Sequence, residues 1–175
     1  MPWTTPETFT AGQTLTAASM NVLSGNLNAL YAPVRRIGFQ TRTTAYTTTS
    51  GVAPGPANIF TTSISWTADG TSAYRCEFYA PSVSTASNAG AFLVVTFTTD
   101  GGTELSRITQ TAFGDGTRGA IAPQYAVFYY TPAAGTATLN VRAYHGTAAG
   151  TVDAGAGGAG ALSPMFVAVY GPALA

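Results

Sequence analysis

The sequence predicts an all-β protein: a jelly-roll-like β-sandwich preceded by an extended arm and one short N-terminal α-helix. Three observations indicate this fold class. From residue 34 onward, apolar and polar residues alternate with the period of two that is typical of strands. Twenty glycines and ten prolines in 175 residues supply turn signals between these strand patterns. A helical pattern occurs only before Pro33, which excludes a fold built from alternating strands and helices.

The charge pattern excludes some partners and favours others. The chain has seven arginines, no lysine and seven acidic residues, and its formal net charge is +0. The arginines are scattered, and only Arg35 and Arg36 are adjacent, so we expect no nucleic-acid partner. No segment approaches the ~20 apolar residues of a membrane helix, so we expect no membrane partner. A surface with so little net charge promotes association, and we expect other proteins to cover part of it.

Two segments make up the predicted organisation, an N-terminal arm and helix at 1–33 and a β-sandwich head domain at 34–175. Residues 1–14 have little periodicity, two prolines and many threonines, and this pattern predicts an extended arm. Thr16 is the predicted N-cap of the helix, and Leu15 and Met20 are spaced as a hydrophobic staple. Pro33 ends the helix.

The helix is too short to be stable alone in water. At about 15 residues it lies near the lower limit for an isolated helix. Gly25 weakens it by a further ~1 kcal/mol relative to alanine. Met20, Leu23, Leu27 and Leu30 are spaced 3, 4 and 3 and form a narrow apolar seam. This seam either packs on the chain's own β-domain, or packs against copies of itself or another protein; its narrowness favours the second interpretation.

The strand patterns follow one another to the end of the chain. The strongest hairpin joins 89–99 to 103–113, and we expect Asp100 and Gly101 to supply the positive φ angles of its turn. Eight or nine strands at this spacing predict a sandwich of jelly-roll type. The other predicted strand segments are 35–42 and 44–49, taken as a first pair, then 59–67, 73–81, 124–132, 135–145 and 164–172.

Alternation along two of these segments assigns side chains to faces. The segment 125–130 is apolar on both faces, which predicts that one face meets the core and the other a second subunit. A central strand partly covered by a loop is the alternative. In the segment 73–81, Tyr74, Cys76, Phe78 and Ala80 are expected in the core, and Arg75, Glu77 and Tyr79 on the other face. The predicted interface residues of 125–130 are Tyr125, Val127 and Tyr129.

No combination of residues indicates catalysis. His145 is the only histidine, and we expect it to be a polar residue at a strand end. A catalytic pair of carboxylates, as in a glycosidase, could come only from Asp100, Asp115 and Asp153. Nothing in the pattern brings two of them to one cleft. Cys76 is the only cysteine and is expected to be buried. We therefore expect no enzyme activity, no catalytic residue, no cofactor and no metal site.

The N-terminal segment resembles a known group of proteins. The residues that carry the resemblance are Trp3, the stretch TFTAGQTLTAASMN at 8–21, the pair Asn26–Leu27, and Leu30. This pattern is similar to a segment at the start of many tailed-bacteriophage virion proteins. These are small minor tail, head-fibre or decoration proteins. The stretches GTATLNVRAYHGTAAGTV and PMFVAVYG are similar to the trimeric jelly-roll or tumour-necrosis-factor-like heads that follow such segments.

This resemblance implies a component of the virion, assembled in the host cytoplasm. It implies an N-terminus attached to the particle, an outward-facing β-domain and a homotrimer, which agrees with the seam on the helix. The residues that we expect at the attachment or oligomer interface are Trp3, Phe9, Leu15, Met20, Leu23, Leu27 and Leu30, with Tyr125, Val127 and Tyr129 of the head domain.

Two functions follow from the resemblance. The first is a homotrimeric capsid decoration or head-fibre protein, whose partners are other virion proteins, a major capsid or tail protein. The alternative is a tail-associated receptor-binding protein that recognises host surface glycans through the loops at 99–103, 113–119 and 145–163. The modest length of the chain favours decoration. So does the Gly/Ala-rich stretch at 150–164, expected as an exposed loop, because glycan sites need polar and aromatic groups.

Overall fold

A computed structural model describes residues 16–31, 35–49, 51, 53, 55, 57–85, 91–111 and 121–172. The chain divides into a helical unit that ends at Arg35 and a β unit, Arg36–Ala173. The helix, α1, spans Ala17–Tyr31. Its cap is the predicted one: Ser19 N donates to Thr16 Oγ1 at 3.2 Å, and Met20 N donates to the Thr16 carbonyl at 3.0 Å. Leu15 and Pro33, the predicted staple and stop, lie outside the described residues.

Ten strands follow in the described part of the chain, in two antiparallel sheets. The first sheet has the order β1-β10-β4-β7, and the short β9 and β2 continue it beside the C-terminal end of β4. The second sheet has the order β3-β8-β5-β6. The strands are β1 Arg36–Arg42, β2 Tyr46–Thr47, β3 Ile64–Ala68, β4 Tyr74–Ser84, β5 Phe92–Thr98, β6 Glu104–Thr111, β7 Ile121–Tyr130, β8 Gly135–His145, β9 Thr151–Asp153 and β10 Met165–Pro172.

This strand order confirms the predicted fold class. When the short β2 and β9 are set aside, the eight long strands divide four and four between the two sheets. Apart from the β5–β6 hairpin, successive long strands lie in different sheets and pair with strands far away in the chain. The first strand, β1, thus lies beside the last, β10. Eight strands wound in this way through two sheets form a jelly roll.

Several details differ from the sequence prediction. The strand predicted at 59–67 begins only at Ile64, as β3. The segments taken as a first pair of strands, β1 and β2, do not pair with each other: β1 pairs with β10 and β2 with β9. The stretch 150–164 contains β9 as well as a loop. In the turn between β5 and β6, the positive φ of 83° belongs to Gly102 and not to Asp100 or Gly101. A five-residue turn puts that conformation one position later, with Thr99 N bonded to the Thr103 carbonyl at 2.9 Å.

The core lies between the two sheets and is rich in aromatic rings. The centroid of the Phe97 ring lies 5.7 Å from that of Phe78 and 4.9 Å from that of Phe128. The expected core residues of β4 are buried, since Tyr74 is 4% exposed and Cys76, Phe78 and Ala80 are 0% exposed. Burial raises the pKa of the Cys76 thiol to about 12.

The sandwich has two different ends. The first strand begins and the last strand ends at the same end, because Arg36 is the register partner of Tyr170. The short connections 69–73, 99–103 and 131–134 belong to that end. Four longer connections leave and re-enter the sheets at the opposite end of the sandwich. The strand residues that flank them are Arg42 and Ile64, Ser84 and Phe92, Thr111 and Ile121, and His145 and Met165.

Candidate interaction surface

The first sheet turns one face away from the core, and we call it the outer face. Strand alternation decides its composition, since every second side chain of a strand lies on the same side. Register then aligns these side chains in rows across four strands. The outer face consists of Tyr125, Val127 and Tyr129 of β7; Arg75, Glu77 and Tyr79 of β4; Phe166, Ala168 and Tyr170 of β10; and Arg36, Phe39 and Thr41 of β1.

The three β7 residues chosen from the sequence lie together and are exposed. Tyr125 is 59%, Val127 41% and Tyr129 62% exposed, whereas Phe128 and Tyr130 pack against the core. Among the described strands, β7 pairs only with β4, so it is an edge strand. Within the described sheet β7 is therefore not the central strand that the alternative interpretation expected.

A nearly buried carboxylate lies in the middle of the outer face. The Glu77 side chain is 8% exposed, and it forms an ion pair with the guanidinium of Arg75. The Tyr125 hydroxyl donates a hydrogen bond to Glu77 Oε1 at 3.1 Å. Burial, together with a hydrogen bond to Glu77, raises the pKa of Tyr170. The charge of Glu77 is thus balanced and bonded by groups of its own chain, as a carboxylate far from water requires.

Aromatic rings surround this carboxylate. The Phe166 ring lies 5.9 Å from the Phe39 ring and 5.6 Å from the Tyr79 ring, centroid to centroid. The guanidinium of Arg36 lies 4.1 Å from the centroid of Phe39, a distance typical of a cation–π contact. Phe39 and Phe166 were not among the interface residues predicted from the sequence. The available signal was in β10, whose run PMFVAVYG is apolar on both faces, as the run on β7 is.

The helix presents a second set of exposed apolar side chains. Met20 is 51% and Leu23 is 46% exposed. In this half of the seam both side chains are thus about half exposed. Leu27 and Leu30 lie within α1, but their side chains are outside the described part of the chain, as are the interface candidates Trp3, Phe9 and Leu15 altogether.

The polar residues considered for catalysis are not brought together. His145 Nδ1 lies 2.8 Å from Thr48 Oγ1. Asp100 accepts hydrogen bonds of 2.6 Å from Ser63 and Asn140, beside the turn at 99–103. Asp153 accepts from Ser82 and Ser84 at the opposite end of the sandwich, and Asp115 lies outside the described residues.

Within the described ranges, no three His, Cys, Asp or Glu side chains are grouped closely enough to hold a metal ion. Among those same residues, no helix has the length and hydropathy that crossing a membrane requires.

Two of the three loops expected to bind glycans belong to opposite ends of the sandwich. The turn 99–103 belongs to one end of the sandwich, and 145–163 begins at the other end. The loop 113–119 lies outside the described residues. Part of 145–163 is a tight hairpin, in which Gly155 N donates to the Ser163 carbonyl at 3.1 Å and Gly157 N to the Leu162 carbonyl at 2.9 Å. Residues 158–163 are exposed, as expected for this stretch.

No protein-family model matches the sequence, and no curated protein matches it. Among solved structures, the chain is similar to a mutant VP2 protein of infectious bursal disease virus in derived T=1 particles. That similarity has 22% identity and a TM-score of 0.31, and it covers 77% of this chain and 35% of the other. A structure of the Gt strain of the same virus is similar with 20% identity and a TM-score of 0.29, over 78% of this chain and 38% of the other.

The chain spans little more than a third of the length of these solved structures. What the chain's own residues define is a jelly-roll β-sandwich with an exposed aromatic face and a short, exposed apolar helix.

Proposed function

We propose that this chain is a structural protein of a bacteriophage virion, a homotrimeric capsid decoration or head-fibre protein attached through its N-terminal segment. The observation that carries the proposal is the N-terminal segment itself. It resembles the attachment segment of tailed-bacteriophage virion proteins, and its helix exposes Met20 and Leu23. Exposed apolar side chains on a helix of 15 residues call for a protein partner.

The β unit adds two supporting observations. Its outer face exposes the β7 row, Tyr125, Val127 and Tyr129, and exposed apolar groups of this kind mark sites of protein association. The chain has a formal net charge of +0, so repulsion between copies does not oppose association. Both features suit a subunit that works within an assembly.

The two ends of the sandwich suit a protein held by its N-terminus. Strand β1 begins at the end that carries the short turns, and the four longer connections belong to the opposite end. The N-terminal segment therefore joins the sandwich at the end with the short turns, where β1 begins.

The experiment that tests this proposal is immunogold electron microscopy of the parent particle, with an antibody against the β unit. Label over the capsid is the expected result. Label at the tail tip would favour the alternative, a tail-associated receptor-binding protein, and glycan-binding assays would follow. If mass spectrometry detects the protein in particles that bind no antibody, the labelling is repeated with an antibody against the N-terminal segment. Absence of the protein from purified particles contradicts the proposal.

A further inference from the structure

A closed trimer needs two different patches on every copy. In a ring with threefold symmetry each contact is heterologous, which means that one patch of a copy meets a different patch of the next copy. The β7 row supplies only one of them. The inference that follows rests on the proposed homotrimer and concerns the location of the second patch.

Phe39 is the residue that fits the second patch. It is 42% exposed, and it is the large exposed apolar side chain that the outer face carries outside β7. Leu162 is similarly exposed at 44%, but it belongs to the hairpin at the end of the sandwich. The guanidinium of Arg36 lies over the Phe39 ring. We call these two side chains the β1 patch.

The two patches lie at opposite edges of one face. Register connects Phe39 to Ala168, Ala168 to Glu77 and Glu77 to Val127, so one row crosses the whole sheet from β1 to β7. Three strand spacings separate its ends, about 14 Å. The middle of the row is covered, since Ala168 is 0% and Glu77 6% exposed. The exposed apolar groups are therefore two separate patches and not one.

We propose that the β7 row of one copy packs on the β1 patch of the next, so that three outer faces enclose the axis of the trimer. The chemistry of the patches is complementary. The tyrosine rings of the β7 row can stack on Phe39, and the guanidinium of Arg36 offers N–H donors to tyrosine hydroxyls and a cation to tyrosine rings.

The polar centre of the outer face favours a second copy of the chain over a glycan. Sugar recognition depends on hydrogen-bonding groups that are open to the ligand, whereas the Glu77 carboxylate is already bonded to Arg75 and Tyr125. A carboxylate whose partners come from its own chain can be enclosed by neighbouring faces without leaving an unpaired charge.

Cross-linking between two full-length variants tests the proposal. Tyr129→Cys and Phe39→Cys are made as separate chains with different tags, co-expressed, and treated with a short bismaleimide. The native Cys76 does not interfere, because it is fully buried. The expected result is a cross-linked heterodimer in the mixture and no cross-link in either variant alone. Leu162→Cys, mixed with Tyr129→Cys, is the matched control and should give none.

Light scattering on the same samples separates this proposal from the proposed homotrimer. Trimers that give the Tyr129–Phe39 cross-link support both. Trimers without that cross-link, or with a cross-link in Tyr129→Cys alone, overturn the two-patch contact and leave the homotrimer standing. A mass of one chain for the wild-type protein overturns both proposals.

Discussion

The Tyr125 hydroxyl donates a hydrogen bond of 3.1 Å to the Glu77 carboxylate, from the edge strand β7 to its neighbour β4. Register places Tyr125 opposite Tyr79, so this bond runs along the diagonal of the strand pair, a distance that a long side chain spans. One residue thus does two things on the outer face: its ring is exposed and its hydroxyl bonds a carboxylate that is almost buried.

Tyr125→Phe should destabilise the monomer fold, because the ring stays while Glu77 loses a donor. A hydrogen bond to a charged group is worth ~1.5–3 kcal/mol, and Arg75 remains to hold the carboxylate. We expect a loss of ~1–2 kcal/mol in the free energy of unfolding, measured by urea titration. Tyr129→Phe is the control, since Tyr129 is equally exposed, and it should cost less than ~0.5 kcal/mol. Equal losses in both variants would show that the bond from Tyr125 to Glu77 contributes no more than the Tyr129 hydroxyl does.

The double substitution Leu23→Ser with Leu27→Ser should abolish trimers, since it removes the centre of the apolar seam of α1. Light scattering should then report a mass of one chain, while circular dichroism retains the β signal of the sandwich. Asn21→Ala, at another exposed position of the helix, should leave the mass unchanged. If the double variant is still a trimer and still enters particles, the seam is a packing face within one chain.

Gly55→Ala should cost more than Gly102→Ala. Both glycines have positive φ angles, 95° and 83°, which cost an alanine ~1–2 kcal/mol. A Cβ at Gly55 would also lie 2.4 Å from the Ala143 carbonyl oxygen, whereas a Cβ at Gly102 meets nothing within 4 Å. Overpacking adds ~1–3 kcal/mol, so we expect ~3 kcal/mol for Gly55→Ala and ~1 kcal/mol for Gly102→Ala. Urea titration checks both, and similar losses would contradict this close approach.

Asp69 should make the protein sensitive to acid. Hydrogen bonds from the Ser72 hydroxyl, the Ser72 amide and the Thr71 amide lower the pKa of its carboxyl from 3.8 to about 2. Because the pKa is lower in the folded state, the stabilisation is fully present above pH 3.8 and is lost as the pH falls toward 2. Asp69→Asn should flatten the pH dependence of the urea midpoint between pH 4 and pH 2. An unchanged slope in this variant would mean that other carboxyls cause the acid sensitivity.

Cys76 should not react with a thiol reagent in the folded protein. The residue is 0% exposed, and burial raises the pKa of its thiol to about 12, so both access and the thiolate form are lacking. We expect a disulfide reagent at pH 8 to modify one thiol per chain in urea and none in buffer. Rapid modification in buffer would show that β4 opens readily.

Several features depend on neighbours in the chain, and these could be predicted. Thr16 caps α1 because its hydroxyl accepts a hydrogen bond from the amide of Ser19, which is only three residues further along the chain. The strand predicted at 135–145 coincides with β8. The side chains of β4 divide between core and outer face as alternation requires, with Cys76 and Phe78 inside and Arg75 outside. Tyr125, Val127 and Tyr129 could be chosen because the strand that carries them is apolar on both faces.

Other features join residues that are far apart in the chain, and no local pattern specifies them. Strand β1 ends at Arg42, a few residues before β2, yet β1 does not pair with β2. It pairs with β10, where Arg42 is the register partner of Met165. The contact of Phe39 with Phe166 exists only because of that pairing.

The sequence by itself therefore determined the class of fold, the start of the helix and the inward or outward direction of most strand residues, because these follow from periodicity and capping within a few residues. Only the tertiary structure decided which strands are neighbours, that β7 is an edge strand, and that Phe39 shares a face with Tyr125. Strand pairing in a jelly roll is long-range, and it is settled by how two sheets bury one core, not by any short stretch of chain.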